Sequence, residues 1–153
     1  MTPGYRALVE SAAWLNLPGR GKIVARGLDR ARLLHAMTTN HIEQLQPGSG
    51  CYAFFLDAHG HVLADVNVLA GTDEHLLDTE PETARKVYRH LDRYIIADDV
   101  TLEDRTSAVA TLALEGPRSG ELLGRTGAPV PAEAHGHTLW GSRTVARVSS
   151  TGA

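Results

Sequence analysis

The sequence predicts an α+β fold in which helices pack on antiparallel-rich sheets. Between Cys51 and Asp104 the pattern runs strand, strand, strand, helix, strand within one small unit. The first two strands of that run meet at a tight turn, Ala58-His59-Gly60. A single helix-period stripe, Ala84, Val87, Tyr88 and Leu91, breaks the alternation.

The elements follow in order. Tyr5, Leu8, Val9 and Ala12 recur at helical spacing, which predicts an amphipathic helix ending before Pro18. Ile23 to Arg26 is a short strand, and Asp29 stands as the N-cap of a helix turning Leu33, Leu34 and Met37 inward. Asn40 caps a further turn, with Glu43 completing a capping box and Pro47-Gly48-Ser49-Gly50 ending it. Strands are expected over Cys51 to Asp57, His61 to Ala70 and His75 to Asp78. Thr79 is read as the cap of the next helix, with Pro81 in its first turn and its end near Tyr94. Val100 to Asp104 and Ala108 to Glu115 are strands, and a short helix through Leu122 and Leu123 stops at Gly124. Residues 124 to 142 hold several Gly and Pro without periodicity and read as loop. Arg143 to Ser150 alternates as a final strand.

Composition narrows the function classes. A chain of 153 residues, 42% apolar and 22% charged, can bury one core or one core plus a satellite unit. No window reaches the ~20 apolar residues of a membrane span, and the opening residues lack a secretory pattern. One cysteine rules out an internal disulfide framework or a CxxC motif, so a cytoplasmic location is expected. A net charge of −3 gives no general affinity for nucleic acid.

The strand from His61 to Ala70 carries the most informative pattern. Period-two alternation puts Val62, Ala64, Val66 and Val68 on one face and Leu63, Asp65, Asn67 and Leu69 on the other. Either that second face is covered and Asp65 needs a partner, with the power to orient a protonated amine, or it is wet and both polar groups meet water. The pairs His59/His61 and His135/His137 offer two ligands each where a zinc site wants three or four, so no metal is expected. Gly19-Arg20-Gly21-Lys22 and Gly48-Ser49-Gly50 precede strands and are turns, not phosphate loops. Cys51 has no local base and reads as a core residue. Asp98, Asp99, Glu103 and Asp104 read as a solvated strand end. Arg85, Arg89 and Arg93 form a basic ridge that suits either a solvated helix surface or an RNA backbone.

Several segments together resemble one family. They are Gly27 to Asn40 with its Thr38-Thr39-Asn40, then Pro47 to Gly60, Val62-Leu63-Ala64-Asp65 and Leu77 to Glu82. Tyr94 to Val100 and Leu114-Glu115-Gly116-Pro117-Arg118 follow in the same order. The chain is similar to YgfZ-like folate-binding proteins and the glycine-cleavage T-proteins, which are aminomethyltransferases. The resemblance implies a multi-lobed folate-binding fold of which this chain is an N-terminal fragment. Residues 1–48 and 106–153 would form an incomplete discontinuous lobe, and 49–105 an inserted βββαβ lobe. Ser149-Ser150-Thr151-Gly152 resembles the start of a T-G-x-x-G segment leading into the rest.

The implied ligand is tetrahydrofolate, with Asp65 as catalytic candidate and Met37, Tyr52, Asp65 and Asn67 lining its channel; core packing is the competing role for Met37. T-proteins carry paired acids where this chain has Ala64-Asp65, which favours a YgfZ-like protein supporting iron–sulfur cluster assembly or repair, or tRNA modification. A true aminomethyltransferase, a transferase moving a one-carbon unit to tetrahydrofolate, is the enzyme alternative. A non-catalytic RNA- or protein-interaction module is the third. Implied partners are folate and iron–sulfur client proteins or tRNA, with no membrane; self-association of the fragment is expected.

Overall fold

A computed structural model describes residues 2–148. In chain order its elements are α1 (Pro3–Glu10), β1 (Ala13–Asn16), β2 (Gly21–Arg26), α2 (Arg30–Met37), a 3₁₀ turn (Ile42–Gln44), β3 (Gly50–Leu56) and β4 (Val62–Ala70). They continue as β5 (Glu74–Thr79), α3 (Pro81–Tyr94), β6 (Thr101–Asp104), β7 (Leu112–Glu115), α4 (Ser119–Arg125), β8 (His137–Trp140) and β9 (Arg143–Ala146). The α+β class with antiparallel sheets is what the alternation and the helical stripe foretold. Two compact units divide the chain, one from 1–18 with 111–153 and one from 19–110.

In the second unit five strands pair antiparallel in the order β3-β4-β5-β2-β6. Strand β2 lies between β5 and β6, so Gly21–Arg26 belongs to the middle of this sheet. The boundaries expected at 48/49 and 105/106 therefore fall elsewhere, at 18/19 and 110/111. Periodicity finds a strand without saying which sheet takes it.

One face of the sheet carries Ile23, Ala53, Phe55, Val66, Val68 and Leu77, and α2, the 3₁₀ turn and α3 add Leu34, Ile42, Val87 and Leu91. Fully burying each larger side chain contributes about 1.5–3 kcal/mol. Tyr88 and Met37 pack, partly exposed, against this cluster.

Two expected caps are used differently. Asp29 holds the N-cap position of α2 as expected, but its side chain makes no capping bond; its carboxylate accepts from the Asp99 backbone N–H at 2.8 Å, which holds its carboxyl below the usual range. The reason is Gly27, whose φ of 107° brings the 27–29 turn against Asp99: a Cβ there would lie 1.9 Å from the Asp99 carbonyl oxygen. Thr79 is the last residue of β5, and Glu80 takes the N-cap position without a side-chain bond. The Thr79 hydroxyl instead donates to the Asp65 carbonyl at 2.7 Å, because strand pairing aims it across the sheet. At the 3₁₀ turn the Asn40 side chain accepts from His41 N–H at 2.8 Å, and His41 holds the cap position.

The acidic strand end is ion-paired. Arg26 binds Glu74 at 2.5 Å and Glu103 at 2.7 Å, and Arg105 binds Glu103 at 2.9 Å. Asp98 takes Arg32 at 2.5 Å.

In the first unit the opening helix ends at Glu10, before Pro18 as expected but short of Ala12, and Ala13–Asn16 pairs with Leu112–Glu115 as strands. The end of the helix meets residues far along the chain. Gly116 packs so closely that a Cβ would sit 2.8 Å from the carbonyl oxygens of Leu8 and Ser11, and Arg118 N–H donates to Ser11 at 2.8 Å. Strand β8 lies in the stretch read as loop, pairing with β9 in a hairpin. Its His-Thr-Leu-Trp is too short to outvote the surrounding Gly and Pro. The T-G-x-x-G start at Ser149-Ser150-Thr151-Gly152 and the end of the last expected strand lie outside the described residues.

Candidate functional site

The sheet of the second unit has a polar second face. Strand pairing places Tyr52 of β3 opposite Asn67 of β4, Asn67 opposite Asp78 of β5, and Asp78 opposite Lys22 of β2. One straight row of four strands thus carries four polar side chains. Asn67 donates to Asp78 at 3.3 Å, and Arg20 Nε reaches both Asp78 oxygens at 3.0 Å. A second guanidinium nitrogen of Arg20 binds Glu80. Lys22 Nζ donates to the Arg20 carbonyl at 2.8 Å.

Exposure changes along the row. Lys22 is 5% exposed and Asn67 7%, while Tyr52 is 42% and its neighbour Phe54 36% exposed. Burial pulls the Lys22 amine below its ordinary value, against the opposing pull of Asp78. Burial also disfavours the Arg20 cation, yet Asp78 and Glu80 together raise it above its ordinary value. The inner end is therefore a locked, charge-compensated cluster.

Asp65 stands at the wetter end. The Tyr52 hydroxyl donates to its Oδ2 at 2.9 Å, and that bond raises the phenol above its usual range. Among the described residues Asp65 has no ion pair, in contrast to Asp78. Tyr52 and Phe54 meet edge-to-face with centroids 5.2 Å apart. A half-buried carboxylate beside two exposed rings can accept N–H bonds from a flat heteroaromatic group.

The Thr38-Thr39-Asn40 motif holds this end in place. Thr39 Oγ1 accepts from Phe54 N–H at 2.9 Å, and Asn40 Nδ2 donates to the Tyr52 carbonyl at 3.0 Å. Thr38 donates to Leu34 at 2.8 Å and bridges to Phe55. β3 is an edge strand, and these side chains supply bonds that a further strand would make.

Of the residues singled out in sequence, the fold brings Tyr52, Asp65 and Asn67 to one face. Met37 packs against the core cluster instead. Cys51 lies against that cluster too, and burial pushes its thiol up, as befits a packing residue. Sequence reading missed Arg20, Lys22 and Asp78, because only the register of β2 against β5 makes them neighbours. Ala64 is 4% exposed within the core, so an acid there would face away from Asp65. The missing first acid therefore says little about this site.

Known proteins resemble this chain in sequence and fold. The GCVT N-terminal domain matches residues 3–151. The chain belongs to that family. The chain is similar to an aminomethyltransferase of Chloroherpeton thalassium, 28% identical over 139 residues, covering 90% of this chain and 38% of that protein. One from Chlorobium limicola is 29% identical over 121 residues, covering 78% of this chain and 33% of that protein. A sarcosine oxidase subunit alpha of a Corynebacterium species is 31% identical over 125 residues, covering 78% of this chain and 13% of that subunit. The glycine cleavage system aminomethyltransferase T of Bartonella henselae shares the fold, with a TM-score of 0.78 at 16% identity, covering 92% of this chain and 39% of that one. The chain spans less than two fifths of the length of these relatives. The resemblance read from the motifs is thus borne out at the level of the family.

Proposed function

We propose that this chain supplies the pterin-binding sheet face of a tetrahydrofolate-dependent aminomethyltransferase. The observation that carries the reading is Asp65, a carboxylate without an ion pair among the described residues, held by Tyr52 and opening beside two exposed rings. The pyrimidine ring of a reduced pterin is flat and the pterin carries several N–H donors, and the residues present fit such a group. Bound tetrahydrofolate would supply the nucleophilic amine that accepts the one-carbon unit. Asp65 accepts an N–H from the pterin and offsets positive charge that develops on the amine. The Tyr52 hydroxyl fixes the carboxylate rotamer, and the Tyr52 and Phe54 rings exclude water from one side. Asn67, Asp78 and Arg20 hold the strands beneath in register.

A second reading keeps folate and drops the transfer: a YgfZ-like protein supporting iron–sulfur cluster assembly or repair, or tRNA modification. The Thr38-Thr39-Asn40 and Leu77-to-Glu82 motifs favour it, and the exposed Arg85, Arg89 and Arg93 suit an RNA partner. Both are tested by titrating the whole protein that carries this chain with tetrahydrofolate, alongside an assay of one-carbon transfer from an aminomethyl carrier. Binding with transfer supports the enzyme, and binding without it supports the second reading. No saturable binding overturns both.

A further inference from the structure

The turn between β3 and β4 gathers three metal-ligating side chains that the folate reading does not use. Asp57, His59 and His61 each offer one ligand atom, and these atoms lie within 4.8 Å of one another. Read as sequence, His59 and His61 straddle a turn and make only a pair; the fold adds Asp57 as the third ligand.

The carboxylate is already oriented. Asp57 Oδ1 accepts from His59 N–H at 2.8 Å and His61 N–H at 2.9 Å. The backbone closes the turn with Asp57 N–H to the His61 carbonyl at 2.9 Å and Gly60 N–H to the Asp57 carbonyl at 3.0 Å. Its Oδ2 is paired with His61 Nδ1 at 3.1 Å. In a tetrahedral site with bonds of about 2.0–2.1 Å, neighbouring ligand atoms stand roughly 3.3 Å apart. Two of the three donors therefore already stand near the separation a bound ion imposes. The His59 and His61 rings lie 6.0 Å apart at 29°, both exposed, so side-chain rotation alone closes the set.

We propose that Asp57, His59 and His61 form a divalent transition-metal site at the tip of this hairpin. Two imidazoles and one carboxylate suit zinc, nickel or copper(II) rather than calcium or magnesium, which want mostly oxygen ligands. Its remaining positions face solvent and would take water or a ligand from a partner. The folate face plays no part in it.

The test is calorimetric titration of the chelator-stripped protein with Zn²⁺, with circular dichroism to check folding. The wild type should bind one equivalent that the His59→Gln/His61→Gln variant loses or holds at least about tenfold more weakly; second-shell changes alone cost about 10–100-fold. Asp57→Asn keeps an oxygen to cap the turn and should also weaken binding. His135→Gln/His137→Gln should leave it intact. The site is overturned if the wild type shows no saturable equivalent, if the double variant binds as tightly, if Asp57→Asn keeps full affinity, or if the loss follows His135 and His137.

Discussion

Ala64 and Asp65 are adjacent in the chain and live in different media. Asp65→Asn in the protein that carries this chain should weaken tetrahydrofolate binding about 10- to 100-fold, the worth of a charge-assisted hydrogen bond of ~1.5–3 kcal/mol. Fluorescence titration measures it, and unchanged affinity would remove Asp65 from the site. Ala64→Asp should not add catalytic power. It should cost about 3 kcal/mol or more, because it buries an unpaired carboxylate in the core; urea unfolding gives the number. Glu103 contributes to the acid response, alongside Asp29, Asp57 and Glu121, whose carboxyls are also lowered. Hydrogen bonds from Arg105 and then Arg26 lower its carboxyl from 4.5 to about 2. A depressed carboxyl contributes stability that is complete above pH 4.5 and disappears as pH falls toward about 2. Glu103→Gln should therefore flatten the loss of urea midpoint across that window, and an unchanged acid limb would contradict the pairing.

Elements owe their ends to distant neighbours. The Thr38-Thr39-Asn40 segment clamps edge strand β3 from outside the sheet, so Thr39→Val leaves the Phe54 N–H without its acceptor. The expected cost is about 1–3 kcal/mol where that amide is shielded, read as lost hydrogen-exchange protection at Phe54. Full protection in the variant would show that the clamp is idle. Leu91→Ala should cost about 2–5 kcal/mol, since α3 drives this side chain into the core beneath the sheet.

At the scale of the whole molecule, the apolar core is unevenly shared. Every member of the main cluster, from Ile23 to Leu91, lies in the 19–110 unit. Among the described residues of the other unit, Ala128 alone is a buried hydrophobic. Residues 19–110 expressed alone should give a cooperative thermal transition, whereas a broad, non-cooperative melt would mean that its core is not self-sufficient.

Much of this was legible in the residues themselves. Local period and punctuation sufficed for α3, the β3–β4 hairpin and the α+β class, because a strand of alternating faces and a helix of period 3.6 leave different marks over a few residues. The ordered motifs sufficed for the family, and the alternation of β4 sufficed to put Asp65 and Asn67 together. Register is another matter. Arg20 and Lys22 lie more than fifty residues from Asp78, and the end of α1 packs against Gly116, about a hundred residues on. Pairing free energy is spread over whole strands, so no local pattern names the partner strand; only the folded sheet decided which side chains became neighbours.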